Sequence, residues 1–240
     1  MLRDLRLRYR GSVLGFAWTL LNPVFFMLIY TLVFSVYLRV QIPNFSLFLL
    51  SGLIPWTWLS TAVSLGTSAI VDGRMYVGKT LFPTEALVVV PVVSSGINFL
   101  LSLPLLFVLA FALHAHVGLA LLALPAVIFL EFLIVQGLVL LCATINVFYR
   151  DLQQLVTYAL TVAFYMTPIF YVTSMVPPRF GFLVAWNPIA NLMFAYQDIL
   201  YRGVFPHMSS LLSPLLFALV LLAIAHGTFA RSRESFSQYL

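Results

Sequence analysis

The sequence predicts an all-α integral membrane protein with six transmembrane helices, and three observations predict it. Of 240 residues, 62% are hydrophobic and only 8% charged, whereas soluble domains carry about 25% charged residues. Mean hydropathy is +1.07. Apolar runs of the length a helix needs to cross a bilayer, about 20 residues, recur along the chain.

In chain order, the start "MLRDLRLRYR" places Leu2, Leu5 and Tyr9 on one helical face and Arg3, Arg6 and Arg10 opposite. That predicts an amphipathic helix over 1–15 lying on the headgroups, although the alternation from Leu5 to Arg10 also fits a strand. Gly11 and Gly15 form a small-xxx-small pair, which a plain turn into the first span explains as well. The spans are predicted at Val24–Leu38, Leu47–Val71 (softly interrupted at "GLIPW"), Ala86–Leu113, Val117–Val147, Leu155–Val172 and Leu211–Phe229. Pro91, Pro104 and Pro125 fall inside them, where neighbouring helices can satisfy the freed backbone groups. No cleavable signal peptide is expected, because the basic start leads into too long an apolar run.

Between the fifth and sixth spans lies Tyr171 to Ser210, too apolar for a solvated loop. Its two apolar parts, Phe180–Trp186 and Ile189–Leu200, are too short for a core of about 30 Å. Pro177-Pro178 and Asn187-Pro188 break helix at the start of each. This predicts a re-entrant helical hairpin over 174–205, dipping in from the outer side. Arg3, Arg6, Arg8, Arg10, Arg74, Lys79, Arg150, Arg231 and Arg233 fall on one side, against Arg39, Arg179 and Arg202 on the other. The bias puts both termini in the cytoplasm and makes the net charge of +5 a matter of membrane lipids rather than nucleic acid.

Gly73, Gly78, Lys79 and Thr80 spell G-x-x-x-x-G-K-T. A working P-loop follows a strand and opens a helix within an α/β sheet; here apolar spans flank it and no stretch could form a nucleotide-binding domain. The match reads as fortuitous, in a short cytoplasmic loop shaped to dock a partner. Cys142 is the one cysteine, so an intrachain disulfide is excluded. His114 and His116 read as a polar connection rather than a metal pair, for want of a third ligand nearby.

The stretches "RDLRLRYRGSVLGFAWTLLNPVFFMLIYTLVFS", "SGLIPWTWLSTAVSLGTSAIVDGRMYVGKTLFPTEAL", "NVFYRDLQQLV", "TPIFYVTSMVP" and "WNPIANLMFAYQDIL" resemble the permease subunits of type-two ABC exporters, in the branch exporting O-antigen, capsule or teichoic-acid polysaccharide. The resemblance covers nearly the whole chain, read as one transmembrane domain over 1–240. It implies a homodimer of this chain with two separate ATP-binding subunits in the bacterial inner membrane. ATP and Mg sit on the partner, and no cofactor sits on this chain. It also implies that the loop 72–85 seats on the ATPase through Asp72, Arg74, Tyr76, Lys79, Phe82 and Glu85. Only three residues precede Asp4, where such permeases carry a longer lead, so a shortened interfacial helix is expected.

Phe26, Tyr30, Phe34 and Tyr37 share one helical face of the first span, as Tyr158 and Tyr165 do on the fifth. Such faces can support the C–H faces of passing sugars; they also serve as helix packing or interface belts. With the resemblance, these six are the candidate pathway residues. Glu131, the one acid deep in a span, suits either proton coupling or, better, a buried hydrogen bond to another helix with Gln136 nearby. Arg150 and Asp151 read as an anchor or a brace for the ATPase. A membrane-embedded glycosyl- or phosphotransferase would need clustered acids or histidines, and a channel or proton-coupled carrier would need polar rings; the acids here are dispersed. A type-two exporter of a small lipid or drug is the nearer alternative to the polysaccharide permease.

Overall fold

The computed structural model describes residues 18–75, 84–113 and 118–239, and among them all regular structure is helical. The predicted interfacial helix with Arg3, Arg6, Arg10, Gly11 and Gly15 lies outside the described residues, as do His114 and His116.

Helix α1, Trp18–Tyr30, continues without a break into a π-helical turn, Thr31–Tyr37. It begins earlier than hydropathy alone suggested. The chain then turns through Arg39 at φ 53° and Asn44 at φ 46°; asparagine tolerates that left-handed region better than most residues. Helix α2, Phe45–Thr67, runs straight through Pro55. A short helix α3, Ala69–Asp72, follows, and Gly73 caps it. Helix α4, Glu85–Ala112, carries Pro91 and Pro104 inside it. A 3-10 turn, Leu119–Ala123, leads into α5, Leu124–Phe148. Pro125 sits in the first turn of α5, where its missing N–H has no intrahelical partner to lose, so no kink results.

Helix α6, Leu152–Met166, ends six residues before the expected Val172. The cause is Pro168: the residue before a proline is pushed out of the α region, and Thr167 is extended at φ −98°, ψ 128°. Two short helices follow, α7 (Gly181–Ala185) and α8 (Pro188–Gln197), separated at Asn187. Asn187 Oδ1 accepts from the N–H groups of Ile189 and Ala190 at 2.9 and 3.3 Å, and Pro188 fills the first helical position, so the break in α7 is also the cap of α8. A π turn, Asp198–Arg202, extends α8 to Gly203 at φ 68°. Helix α9, Met208–Ser232, leads through a 3-10 turn to α10, Phe236–Tyr239.

Four of these helical segments are long and apolar enough to cross a membrane: Phe45–Thr67, Glu85–Ala112, Leu119–Phe148 and Met208–Ser235. Helix α2 is the axis of the bundle, with 78% of its apolar window buried against 22% for α9. Helices in lipid gain little from apolar burial and associate by close packing. Gly66 provides this for α2 and α5, since a Cβ there would stand 2.2 Å from Val139 Cγ1. Trp58 Nε1 donates to the Val92 carbonyl at 3.1 Å and ties α2 to α4.

Candidate functional site

A groove of about 550 Å³ runs between α1, α2 and α6. Its floor on α2 is Trp56, Thr57, Ser60, Thr61 and Ser64; α6 contributes Thr157, Thr161, Phe164 and Tyr165; α1 contributes Phe26 and Tyr30. The hydroxyls at 57, 60, 61 and 64 follow i, i+3, i+4, i+7 spacing, which puts them on one face of the helix. Thr57 donates its proton to the Leu53 carbonyl at 2.7 Å, and Thr157 and Thr161 bond the carbonyls one turn back at 3.0 and 2.9 Å. Each leaves oxygen lone pairs available to a ligand. The groove is open along its length, with Phe26 51% and Tyr165 60% exposed. Gln153 Nε2 donates to the Ser64 carbonyl at 3.0 Å and holds α6 to α2 at one end.

At the other end an aromatic cluster adjoins the groove through its lining residues Tyr30, Phe164 and Tyr165. Phe170, in the turn after α6, stacks on Tyr30 at 6.1 Å and 5°, and lies 5.0 Å from Phe34, 5.5 Å from Phe164 and 5.9 Å from Tyr165. The spacing of Phe26, Tyr30 and Phe34 thus makes a continuous ladder, with centroids 6.3 and 6.1 Å apart. Phe34 packs in this cluster against Phe45 and Phe170 and, like Phe170, lies outside the groove lining. Tyr37 leaves the ladder and is 72% exposed. The π turn explains this: its wider ring advances each residue by less than the α-helical angle, so the α-helical face does not extend past Phe34. Tyr158, two turns from Tyr165, is also exposed but lies outside the groove lining.

At the groove's Ser64 end, Asp72 accepts from Ser68 Oγ at 2.6 Å, and Arg74 is exposed. Glu85 meets Arg233 of the C-terminal turn at 3.5 Å. Tyr76, Lys79 and Phe82 lie outside the described residues. The two feet of the loop touch: a Cβ on Gly73 would stand 2.6 Å from Leu87 Cδ1. The element before Gly73 is a helix, not the strand a phosphate-binding loop follows. Arg150 and Asp151 are exposed at the turn into α6, and the Asp151 side chain makes no cap bond.

Glu131 is fully buried and takes its hydrogen bond from Tyr196 of α8, Oη to Oε2 at 2.6 Å. Its partner is therefore in a short helix rather than a span, and its other oxygen, Oε1, takes no hydrogen bond from Gln136 or from any other described residue.

Sequence reasoning followed aromatic spacing and missed the hydroxyl ladder on α2 and α6, although its helical spacing is plain in "TWLSTAVS". It also missed Phe170, for which no periodic signal exists because it lies in a turn.

A bundle of apolar helices with a polar-aromatic groove along one face defines a multi-pass membrane protein. The chain belongs to the ABC-2 type transporter family, whose model matches residues 1–201. It is 40% identical to the O-antigen export system permease protein RfbA of Myxococcus xanthus over 98% of this chain and 92% of that protein. It is 31% identical to an RfbA of Klebsiella pneumoniae over 84% of this chain and 78% of that one. It is 22% identical to the polysialic acid transport protein KpsM of Escherichia coli over 97% and 91%.

Proposed function

We propose that this chain is the permease subunit of an ATP-driven exporter that moves a polysaccharide, lipid-linked or free, across the bacterial inner membrane. The observation that carries the reading is the groove. Sugars present hydroxyls along their edges and C–H surfaces on their faces. A ladder of Thr and Ser beside Phe26, Tyr30, Phe164 and Tyr165 answers both without fixing one sugar, as a polymer passing through requires. The relatives named for O-antigen and polysialic acid support the same substrate class.

In this reading α1, α2, α4, α5, α6 and α9 are six spans with both termini in the cytoplasm, and α7 and α8 form a re-entrant outer hairpin. The length of α1 with its π turn and the burial of α8 support that arrangement. Two copies face each other across their open grooves, with two ATPase subunits below carrying ATP and Mg. The loop 72–85, its feet pinned together at Gly73 and Leu87, passes the ATPase motion to α2 and α4. Deleting the gene and identifying the missing surface polymer, with co-purification of the ATPase, tests the proposal. Intact surface polysaccharide together with loss of a small lipid's export would replace it with a lipid exporter.

A further inference from the structure

Two neighbouring residues of α8 each reach across the fold to a different element. Tyr196 donates to Glu131 on α5 at 2.6 Å. Gln197 Nε2 donates to the Pro168 carbonyl at 2.9 Å. Both side chains are buried, at 0% and 2% exposure. Pro168 stands two residues before Phe170, the hub of the aromatic cluster beside the groove, and Ile169 between them is fully buried. Helix α2 backs the contact: a Cβ on Gly52 would stand 3.2 Å from Gln197 Nε2 and 3.4 Å from Ile169 Cγ2.

The pair on Glu131 is costly to keep. Its second oxygen, Oε1, is buried without a hydrogen-bond partner among the described residues. A half-satisfied carboxyl in an apolar interior is a poor device for stability, and apolar side chains of like volume would serve as well. What such a pair does supply is a definite position. α8 cannot slide gradually from α5, because a buried donor or acceptor left unmet is penalised at once. A strut of this kind is in place or released.

We infer that Tyr196 and Gln197 are positioning residues that hold Phe170 beside the end of the groove, with Glu131 as their abutment on α5. This rests on the groove being the polymer's path. When the polymer is driven outward, the turn 167–172 must move, and release of the Gln197–Pro168 bond is what frees it.

The test uses the complex with its ATPase, reconstituted in vesicles loaded with a small water-soluble dye, without ATP. Gln197→Leu and Tyr196→Phe are expected to leak roughly tenfold faster than the parent, the factor for losing about one buried hydrogen bond. Both should also melt at lower temperature. Tyr196→Phe combined with Glu131→Leu removes both ends of one bond, so its melting temperature recovers while the leak persists. Glu131→Gln still accepts from Tyr196 and keeps the vesicles tight. If the double variant is as tight as the parent, the pair is structural only and the inference is overturned. Phe170→Ala separates the two readings. A leak from it with tight Gln197→Leu and Tyr196→Phe vesicles sinks the strut alone; a tight Phe170→Ala sinks the groove as a path and the strut with it.

Discussion

Replacing groove hydroxyls by methyls separates a sugar track from a packing face. The variant is Thr57→Val with Thr61→Val and Thr161→Val, which keeps side-chain shape. Thr57 and Thr161 spend their protons on their own helix, at 2.7 and 2.9 Å, so the backbone ladder survives their loss. They are exposed, and the expected stability change is within about 0.5 kcal/mol per site. A hydrogen bond to a ligand contributes about 0.5–1.5 kcal/mol net. Losing two in the slowest step of translocation gives about 1–3 kcal/mol, or roughly a five- to 150-fold slower export. The assay is the rate at which surface polymer reappears after induction, beside the amount of complex recovered from membranes. Thr228→Val is the control: Thr228 makes the same bond one turn back, to Ile224 at 2.8 Å, on the exposed face of α9. Export by the triple variant at the parental rate, or an equal slowing by Thr228→Val, would refute the reasoning.

Gly66→Ala puts a methyl 2.2 Å from Val139 Cγ1 and should cost about 1–3 kcal/mol by overpacking; adding Val139→Ala should return most of the lost melting temperature, and no recovery would show that the α2–α5 contact is not the seat of the strain. The purified chain should bind no ATP, so a tight, Lys79-dependent nucleotide signal in a filter assay would reverse the view of the G-x-x-x-x-G-K-T match. Shortening the loop around Val77–Thr80 should leave the ATPase active but unlinked from export, and normal export with normal ATPase association would count against a coupling role. Cysteines at Ser174 and Ser209, both exposed, should react from outside with an impermeant thiol reagent, whereas one at Ala190, fully buried, should not; reaction of Ser174 and Ser209 from opposite sides would make the segment a seventh span.

Composition and periodicity determined the helical class and most spans of this protein, because the bilayer imposes a length and an apolarity that any single segment must meet by itself. The cap of α8 was equally local: Asn187-Pro188 carries its own hydrogen-bond chemistry and breaks the chain where the sequence says. Local rules failed where a neighbour decided. Phe26, Tyr30 and Phe34 obey helical spacing, but Tyr37 escapes it through a π turn that hydropathy does not encode. Glu131 could be recognised as needing a partner; that the partner is Tyr196, 65 residues away, depends on how α8 folds back against α5. The hydroxyl ladder was legible as spacing, yet only the packing of α2 against α1 and α6 turns it into a groove. Phe170 had no pattern at all, because a turn residue acquires its role from the rings that converge on it. A pattern along one helix states which side chains share a face, and the tertiary fold decides what that face meets.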